Sequence, residues 1–571
     1  MATAVETVLL EGLSSTSKVS PVATAQFFSG RLLLALKWIL AQISELNQLL
    51  QSLDRASYYA VMVLSIVCLY FSWIPNVVNL THAPETVLLN VYDSVTEKLE
   101  SLSLSSFVRR HCPSLSSSFF PTPYLLSGHH QTIFAGLVSR FCPPEPDIYE
   151  REIVSLPHGG RTSIDWSKGY KDLPANTPII ILQHGIDGNS RDRYILALLP
   201  HILKNGYKVA SLNGRGQANV EITTPLLYNG AYTEDARFLM KHIQQQNPDA
   251  ALIGIGFSLG ANIMMKCVGE DGDACPLVGF VSVGNPFDLH MGLNRLHSTF
   301  LGRHLYSRVM TLGLVRTFKS HLKVFMDNLD HASFAEPIDA DKALNSTYLH
   351  EFDDAITRRV LGFRSVSEYY RKGSSSQYIL DIRVPTLILS DIDDPIVASD
   401  LIPFSDVLGN PNVILATTKR GGHLGWFEGV FKPTRWFPKP VMEFVNALLK
   451  AQQNLPPNMK RTLMQSTFSK DSSISVVPKD MSVQGEPAQK PSQKELDTES
   501  MPDTSAKTAS TVVANRSNIG SHVLTFASRF IPARHASESA NVYKVRKFVT
   551  YLVGVWALFL AAKKRTPKRL H

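Results

Sequence analysis

The sequence predicts a mostly parallel, doubly wound α/β sheet with a helical cap, and three observations carry that prediction. Six short apolar runs lie between residues 177 and 417, and most of them run out at Gly, Asn, Asp or Ser. Helix-like segments separate the runs. The third run, "ALIGIGFS", breaks at a serine flanked by Gly256 and Gly260 and passes straight into a further apolar pattern.

The runs in order are "TPIIILQHG" (177–185), "KVASLNGRG" (208–216), "ALIGIGFS" (251–258), "LVGFVSVGNP" (277–286), "VPTLILSDID" (384–393) and "NVILAT" (412–417). A strand covered on one face alternates apolar with polar residues, whereas these are nearly continuous, as expected of parallel strands covered on both faces. Strands that alternate with helices form a doubly wound sheet, whose ligands bind beyond the carboxyl ends of the strands. About a hundred residues of mostly helical character separate Pro286 from Pro385, enough for a cap over that edge at about 287–383. The domain so defined is expected to span 115–450.

Length supports one large domain with appended segments: 571 residues exceed a single compact core, at 44% apolar and 19% charged. Residues 1–55 form a tail in which Leu32, Leu36, Ile39, Ile43, Leu46, Leu50 and Leu53 step by four and three, the spacing of an amphipathic helix. Residues 56–80 carry no charge, and a bilayer core of about 30 Å needs about 20 apolar residues, so this stretch is expected to be a transmembrane helix. Tyr58 and Tyr59 at one end, and Tyr70, Phe71 and Trp73 toward the other, suit the two interfaces. Arg31, Lys37 and Arg55 before the segment favour a cytoplasmic N-terminus. Residues 451–520, rich in Ser, Pro, Gln, Lys and Asp, read as a disordered linker. Residues 521–571 end in Phe548 to Ala562, fifteen uncharged residues between basic clusters, read as a second membrane contact.

Lys and Arg exceed Asp and Glu by 57 − 49 = 8. No basic stripe interleaved with aromatics accompanies that excess, so nucleic acid is not an expected partner and the charge reads as membrane-proximal. Five widely spaced cysteines without a C-x-x-C call for neither a disulfide framework nor a zinc site, and no metal or cofactor is expected. Oligomeric state has no signal in the sequence.

Gly256-Phe257-Ser258-Leu259-Gly260 at a strand-to-helix junction has the pattern of a nucleophile elbow, a strained turn that lifts a serine hydroxyl clear of the sheet. Glycine is needed at 256 and 260 because a Cβ there would strike a neighbouring element. A serine hydroxyl is a poor nucleophile at neutral pH and needs a base, an acid that orients the base, and donors for the oxyanion. In a sheet of this kind the acid and then the histidine follow the serine in chain order. "VPTLILSDIDDPIV" supplies Asp391, Asp393 and Asp394 just past a strand, with Asp394 the choice for the acid and Asp393 the runner-up. His423, in the glycine-rich "KRGGHLGWFEG" after the next strand, is the base. The oxyanion donors are expected to be the backbone N–H groups of Leu259, at a helix N-terminus, and of Ile186 in "QHGIDGNS". His184 reads as structural, and Asp187 or Asn189 as the cap of the following helix.

Taken together, "PTPYLLSGHHQTIFAG", "HGIDGNS", "LNGRG", "GFSLGAN", "GNPFDL", "YYRKGSS", "VPTLILSDIDDPIV" and "GGHLGWFEG" occur in that order from about 120 to 450. They resemble the α/β-hydrolase subfamily that contains YheT-type esterases, fungal medium-chain ethyl ester synthases, plant embryogenesis-associated hydrolases and animal membrane-anchored lipases. The resemblance implies an α/β-hydrolase fold and a catalytic role for Ser258, Asp394 and His423. It also implies an N-terminal membrane anchor; the long polar linker and basic C-terminus depart from the usual pattern.

The expected function is that of a membrane-anchored serine esterase or lipase acting on acyl esters of lipids through an acyl-enzyme. An acyltransferase using an alcohol acceptor is the alternative within the same chemistry. A non-catalytic lipid-binding scaffold of the same fold is the alternative outside it, and would be expected to have lost one of the positions that here are all filled. Lys568 and Arg569, at −4 and −3 from the C-terminus, resemble a dibasic retrieval signal and point to the endoplasmic reticulum.

Overall fold

A computed structural model describes residues 74–93, 98–141, 147–328, 336–430 and 432–453, together with Val63 and Ile66. Of the thirteen strands among the described residues, eleven carry the architecture: β1 (Asn79–His82), β2 (Leu88–Asp93), β3 (Lys98–Ser103), β4 (Tyr149–Ser155), β5 (Arg161–Ser167), β6 (Ile179–Gln183), β7 (Lys208–Leu212), β8 (Leu252–Phe257), β9 (Gly279–Val283), β10 (Thr386–Asp391) and β11 (Val413–Thr418). Nine of them form one sheet in the order β1-β11-β10-β9-β8-β6-β7-β5-β4. The six inner strands β11, β10, β9, β8, β6 and β7 are parallel, and they coincide with the six apolar runs. β1 closes one edge and β5 and β4 the other, all antiparallel.

Side chains alternate across a strand, so a run buried throughout must feed two cores. In β6, Ile180 and Leu182 join one apolar cluster while Ile179 and Ile181 join the other. The first cluster lies under α1 (Leu104–His111), α3 (Arg193–Lys204) and α9 (Pro438–Gln453). The second lies under α4 (Glu234–Gln246) and α5 (Leu259–Asp271), and α2 (Gly128–Phe141) stands beside the carboxyl ends of the strands. A third cluster belongs to the cap, where α6 (Leu289–Ser298) and α7 (Arg308–Ser320) precede short helical turns ending at Val360. α8 (Val366–Gly373) then leads back to the sheet.

Three expected boundaries move. The α/β domain does not begin at 115: β1 pairs with β11, and Leu104, Phe107 and Val108 of α1 are fully buried in the first cluster. Four strand residues and three apolar helix positions leave too weak a pattern to be seen in sequence. The transmembrane segment does not reach residue 80, because Asn76 pairs with Phe119, and Asn79 and Leu80 are in β1. Pro75 disfavours helix in the residue before it, so an uncharged run here is not a helical run to its end. Residues 56–73 other than Val63 and Ile66 lie outside the described residues, and among the described residues no helix is long and apolar enough to cross a membrane. The cap ends before 383, since Ile379 and Ile382 are buried in the second cluster beneath the sheet.

The tail at 1–55, the linker from Asn454 to 520 and the segment 521–571 also lie outside the described residues, while Ala451–Gln453 close α9.

Candidate active site

The chain winds from β6 to β7 on one side of the sheet and returns to place β8 on the other side of β6. The carboxyl ends of β6 and β8 therefore border the crevice of a topological switch point, where ligands of doubly wound sheets bind. Ser258 stands at the end of β8 and the loop after Gln183 at the end of β6.

Ser258 has φ 53° and ψ −124°, a backbone conformation that a residue with a Cβ rarely adopts. Its N–H donates to the Val283 carbonyl at the end of β9 (2.9 Å), and its carbonyl accepts from Ala261 and Asn262 in the first turn of α5. The flanking glycines admit this turn. A Cβ on Gly256 would lie 2.6 Å from the Ala261 Cα, and one on Gly260 would lie 2.2 Å from the His184 carbonyl oxygen.

His423 bridges serine and acid. Its Nε2 is 2.9 Å from Ser258 Oγ and its Nδ1 is 2.8 Å from Asp394 Oδ2. A carboxylate only accepts, so Nδ1 carries the proton toward Asp394 and Nε2 presents its lone pair to the serine hydroxyl. Asp394 is nearly fully buried, and its other oxygen accepts from the Ile396 and Val397 N–H groups (2.8 and 2.9 Å), which fixes the carboxylate in plane.

The three clustered carboxylates have separate places. Asp393 faces away from the imidazole: Oδ1 accepts from Gly421 and Gly422 (3.1 and 3.0 Å) and Oδ2 from Gly128 (2.6 Å), so it clamps the histidine loop to the start of α2. Asp391 accepts from the Asp393 N–H and from the Thr418 hydroxyl. Burial, with Asp393 beside it, pushes its pKa well above the carboxylate range.

The loop after β6 is held from several sides. His184 is fully buried; its Nε2 accepts from the Gly214 N–H (2.9 Å), which leaves Nδ1–H to donate to the Gly185 carbonyl (2.7 Å). Burial pushes its pKa down to about 4, which keeps this tautomer neutral. The Gly185 N–H donates to Tyr194 Oη (2.9 Å), whose hydroxyl donates to Asp192 (2.5 Å). A Cβ on Gly185 would stand 3.0 Å from that of Ser258, so the loop lies directly against the serine. The N–H groups of Leu259 and Ile186 have no hydrogen-bond partner among the described residues, and both residues border the cavity at Ser258.

Neither Asp187 nor Asn189 caps α3, contrary to expectation. The Asn189 side chain accepts from the Arg191 N–H within its own turn (2.9 Å), and the Asp187 carboxylate reaches out to α7. A short acidic residue before a helix has the composition of a cap, but the cap above this loop offers Asp187 a cation that sequence order does not reveal.

Two contributors carried no chemical signal in the sequence. Thr132 on α2 accepts from the His423 N–H (2.9 Å) and donates to the Gly128 carbonyl (2.7 Å), so "GHHQT" buttresses the histidine loop. Asp353 lines the cavity from the cap: buried, it accepts from Tyr370 Oη and Thr357 Oγ1 (2.7 and 2.6 Å), and burial raises its pKa to about 6. The cavity runs from Ser258 under the cap and encloses about 1100 Å³, counting the part open to solvent. Its walls are mostly apolar, among them Leu289, Leu293, Leu314, Phe325, Phe352 and Val397.

Residues 178–430 match the model of the alpha/beta hydrolase fold family. The chain is 32% identical over 351 residues to the embryogenesis-associated protein EMB8 of Picea glauca, covering 60% of this chain and 74% of that one. It is 30% identical over 394 residues to a monoacylglycerol lipase of Saccharomyces cerevisiae, covering 61% and 86%. It is 28% identical over 357 residues to the phospholipase ABHD3 of Homo sapiens, covering 61% and 83%. With two relatives matched at 32% and 30% identity over 74% and 86% of their own length, the chain belongs to the α/β-hydrolase family, in the subfamily of ABHD proteins.

Proposed function

We propose that the chain is a membrane-anchored serine hydrolase that cleaves acyl esters of lipids, with Ser258 as nucleophile, His423 as general base and Asp394 as the acid that orients it. The observation that carries this reading is the unbroken Asp394–His423–Ser258 hydrogen-bond chain at 2.8 and 2.9 Å, opening on an apolar cavity. The names of the yeast and human relatives, a monoacylglycerol lipase and a phospholipase, put lipid esters first among substrates.

In this reading Ser258 Oγ attacks the acyl carbonyl while its proton passes to His423 Nε2, and Asp394 stabilises the imidazolium that results. The tetrahedral oxygen takes up charge between the Leu259 and Ile186 N–H groups; removal of one such donor typically costs about 10²–10³ in rate. The leaving alkoxide receives the proton from His423 and departs, leaving an acyl-serine. Water, deprotonated by the same imidazole, then attacks the acyl carbon and releases the acid and free Ser258. An alcohol held in the cavity attacks the same acyl-enzyme, which makes ester exchange a side of the same chemistry.

The surrounding chain fits a membrane setting in the same reading. A transmembrane helix drawn from residues 56–73 precedes the catalytic domain, which spans about 74–453. A polar linker follows to about 520, and the basic apolar C-terminal segment makes a second contact with an endomembrane.

The test is labelling of the membrane-purified chain by a fluorophosphonate, compared with Ser258→Ala, with acyl esters of graded length as competitors. Labelling that vanishes in the variant and is blocked by long-chain esters is the expected result. A native chain that is folded and does not label would sink the reading.

A further inference from the structure

Asp187 stands between the loop at the active site and the cap. It follows Ile186 directly and has φ 51°, a left-handed conformation in which an L-residue is strained. Its carboxylate is held from outside the loop. Its Oδ2 lies 2.7 Å from Arg316 Nη2 and its Oδ1 accepts from Thr317 Oγ1 at 3.2 Å, both on α7. Gly313 lies on the same face of that helix, and a Cβ there would sit 2.1 Å from Asp187 Oδ2 and 2.5 Å from its Cγ. Residues 313, 316 and 317 thus form a socket in which the missing side chain of Gly313 makes room for the carboxylate.

The other side of the loop is fixed from below. His184 and Tyr194 hold the Gly185 carbonyl and N–H at 2.7 and 2.9 Å. The Ile186 N–H belongs to the Gly185–Ile186 peptide, whose carbonyl His184 holds, and Asp187 is the residue that follows Ile186. That peptide is anchored through its carbonyl, and the chain that leaves Ile186 is anchored on α7 through the Asp187 carboxylate. That helix is itself fastened within the cap, where Phe318 packs against Phe325 and Phe352 at centroid separations of 4.9 and 6.0 Å.

We propose that Asp187 is a positioning residue through which the seated cap sets the direction of the Ile186 N–H, so that the oxyanion site is complete only while α7 grips the Asp187 carboxylate. This rests on the reading of Ser258 as nucleophile and of Ile186 as oxyanion donor. A merely structural anchor for the cap would affect cap stability and substrate binding. A positioning role lowers kcat instead, because an oxyanion donor acts on charge that develops in the transition state.

Three variants of the full chain separate these roles: Gly313→Ala, Asp187→Gly and the two combined. Alanine favours helix over glycine, so Gly313→Ala strengthens α7 while it pushes the carboxylate out of its socket. Glycine at 187 removes the carboxylate and adopts the backbone conformation without strain. The readouts are the rate of fluorophosphonate labelling, and kcat and KM on a short p-nitrophenyl ester too small to reach the cap. Gly313→Ala is expected to lower kcat and labelling about tenfold with KM within about twofold, and Asp187→Gly to do the same. Added to Asp187→Gly, the Gly313→Ala change is expected to cost less than about twofold, because the group it displaces is gone. Native kcat in either single variant, or the same loss from Gly313→Ala in both backgrounds, overturns the proposal. If Gly313→Ala does not fold, Asp187→Gly alone decides by the same kcat criterion. Labelling of the native chain and not of Ser258→Ala shows first that the underlying reading holds; a native chain that fails to label takes down that reading, and this proposal with it.

Discussion

Replacing Asp353 by Asn should make the protein more stable at alkaline pH and leave it nearly unchanged at acid pH. Asp353 sits in the cap wall of the cavity, buried, and among the described residues its partners are two hydroxyls and no cation. Burial raises its pKa from the ordinary 3.8 to about 6. A raised carboxyl pKa means that the folded state prefers the protonated form. The cost of the buried charge is therefore absent below about pH 3.8, grows as pH rises toward 6, and is constant above. The difference of about 2.2, at 1.36 kcal/mol per unit of pH, comes to about 3 kcal/mol. Asn keeps an acceptor for Tyr370 and never ionises. Urea unfolding of native chain and Asp353→Asn, followed by tryptophan fluorescence from about pH 4 to pH 8, gives the stability difference at each pH. Asp192, also raised to about 6 by burial, contributes equally to both proteins and cancels. The difference should move in favour of the variant by about 2.5 kcal/mol across the range, the rest of the cost being already present at pH 4. A difference constant to within about 1 kcal/mol would refute the argument that burial sets this pKa.

Two further outcomes follow from the site. Ser258→Gly should be more stable than Ser258→Ala by about 1 kcal/mol, because the strain at φ 53°, about 1–3 kcal/mol, exceeds the added chain entropy of glycine, about 0.5–1 kcal/mol. Chemical denaturation of the two variants decides, since neither has the hydroxyl. Asp393→Asn turns an amide donor toward the Gly128 N–H or the Gly421 and Gly422 N–H groups. It should cost about 1–3 kcal/mol of stability and lower kcat more than it changes KM, read by thermal unfolding and ester hydrolysis.

Sequence by itself determined the six parallel strands, because strands buried on both faces must be apolar at every position, and that pattern needs no knowledge of neighbours. It also marked Ser258, since the elbow needs small residues at 256 and 260 whatever surrounds it, and chain order then pointed to Asp394 and His423. The edge strands escaped it. β4, "YEREIVS", exposes alternate residues and carries three charges, and β1 is four residues long at a rim. What only the tertiary structure decided is where short polar side chains find partners distant in sequence. Asp393 and Asp394 are adjacent and chemically alike, yet one clamps three backbone N–H groups while the other holds an imidazole. Asp187 resembles a helix cap until α7 is brought over it with a guanidinium and a glycine-lined socket. An apolar run is legible because burial acts on each residue singly, whereas the job of a carboxylate depends on the donors that folding brings within 3 Å of it.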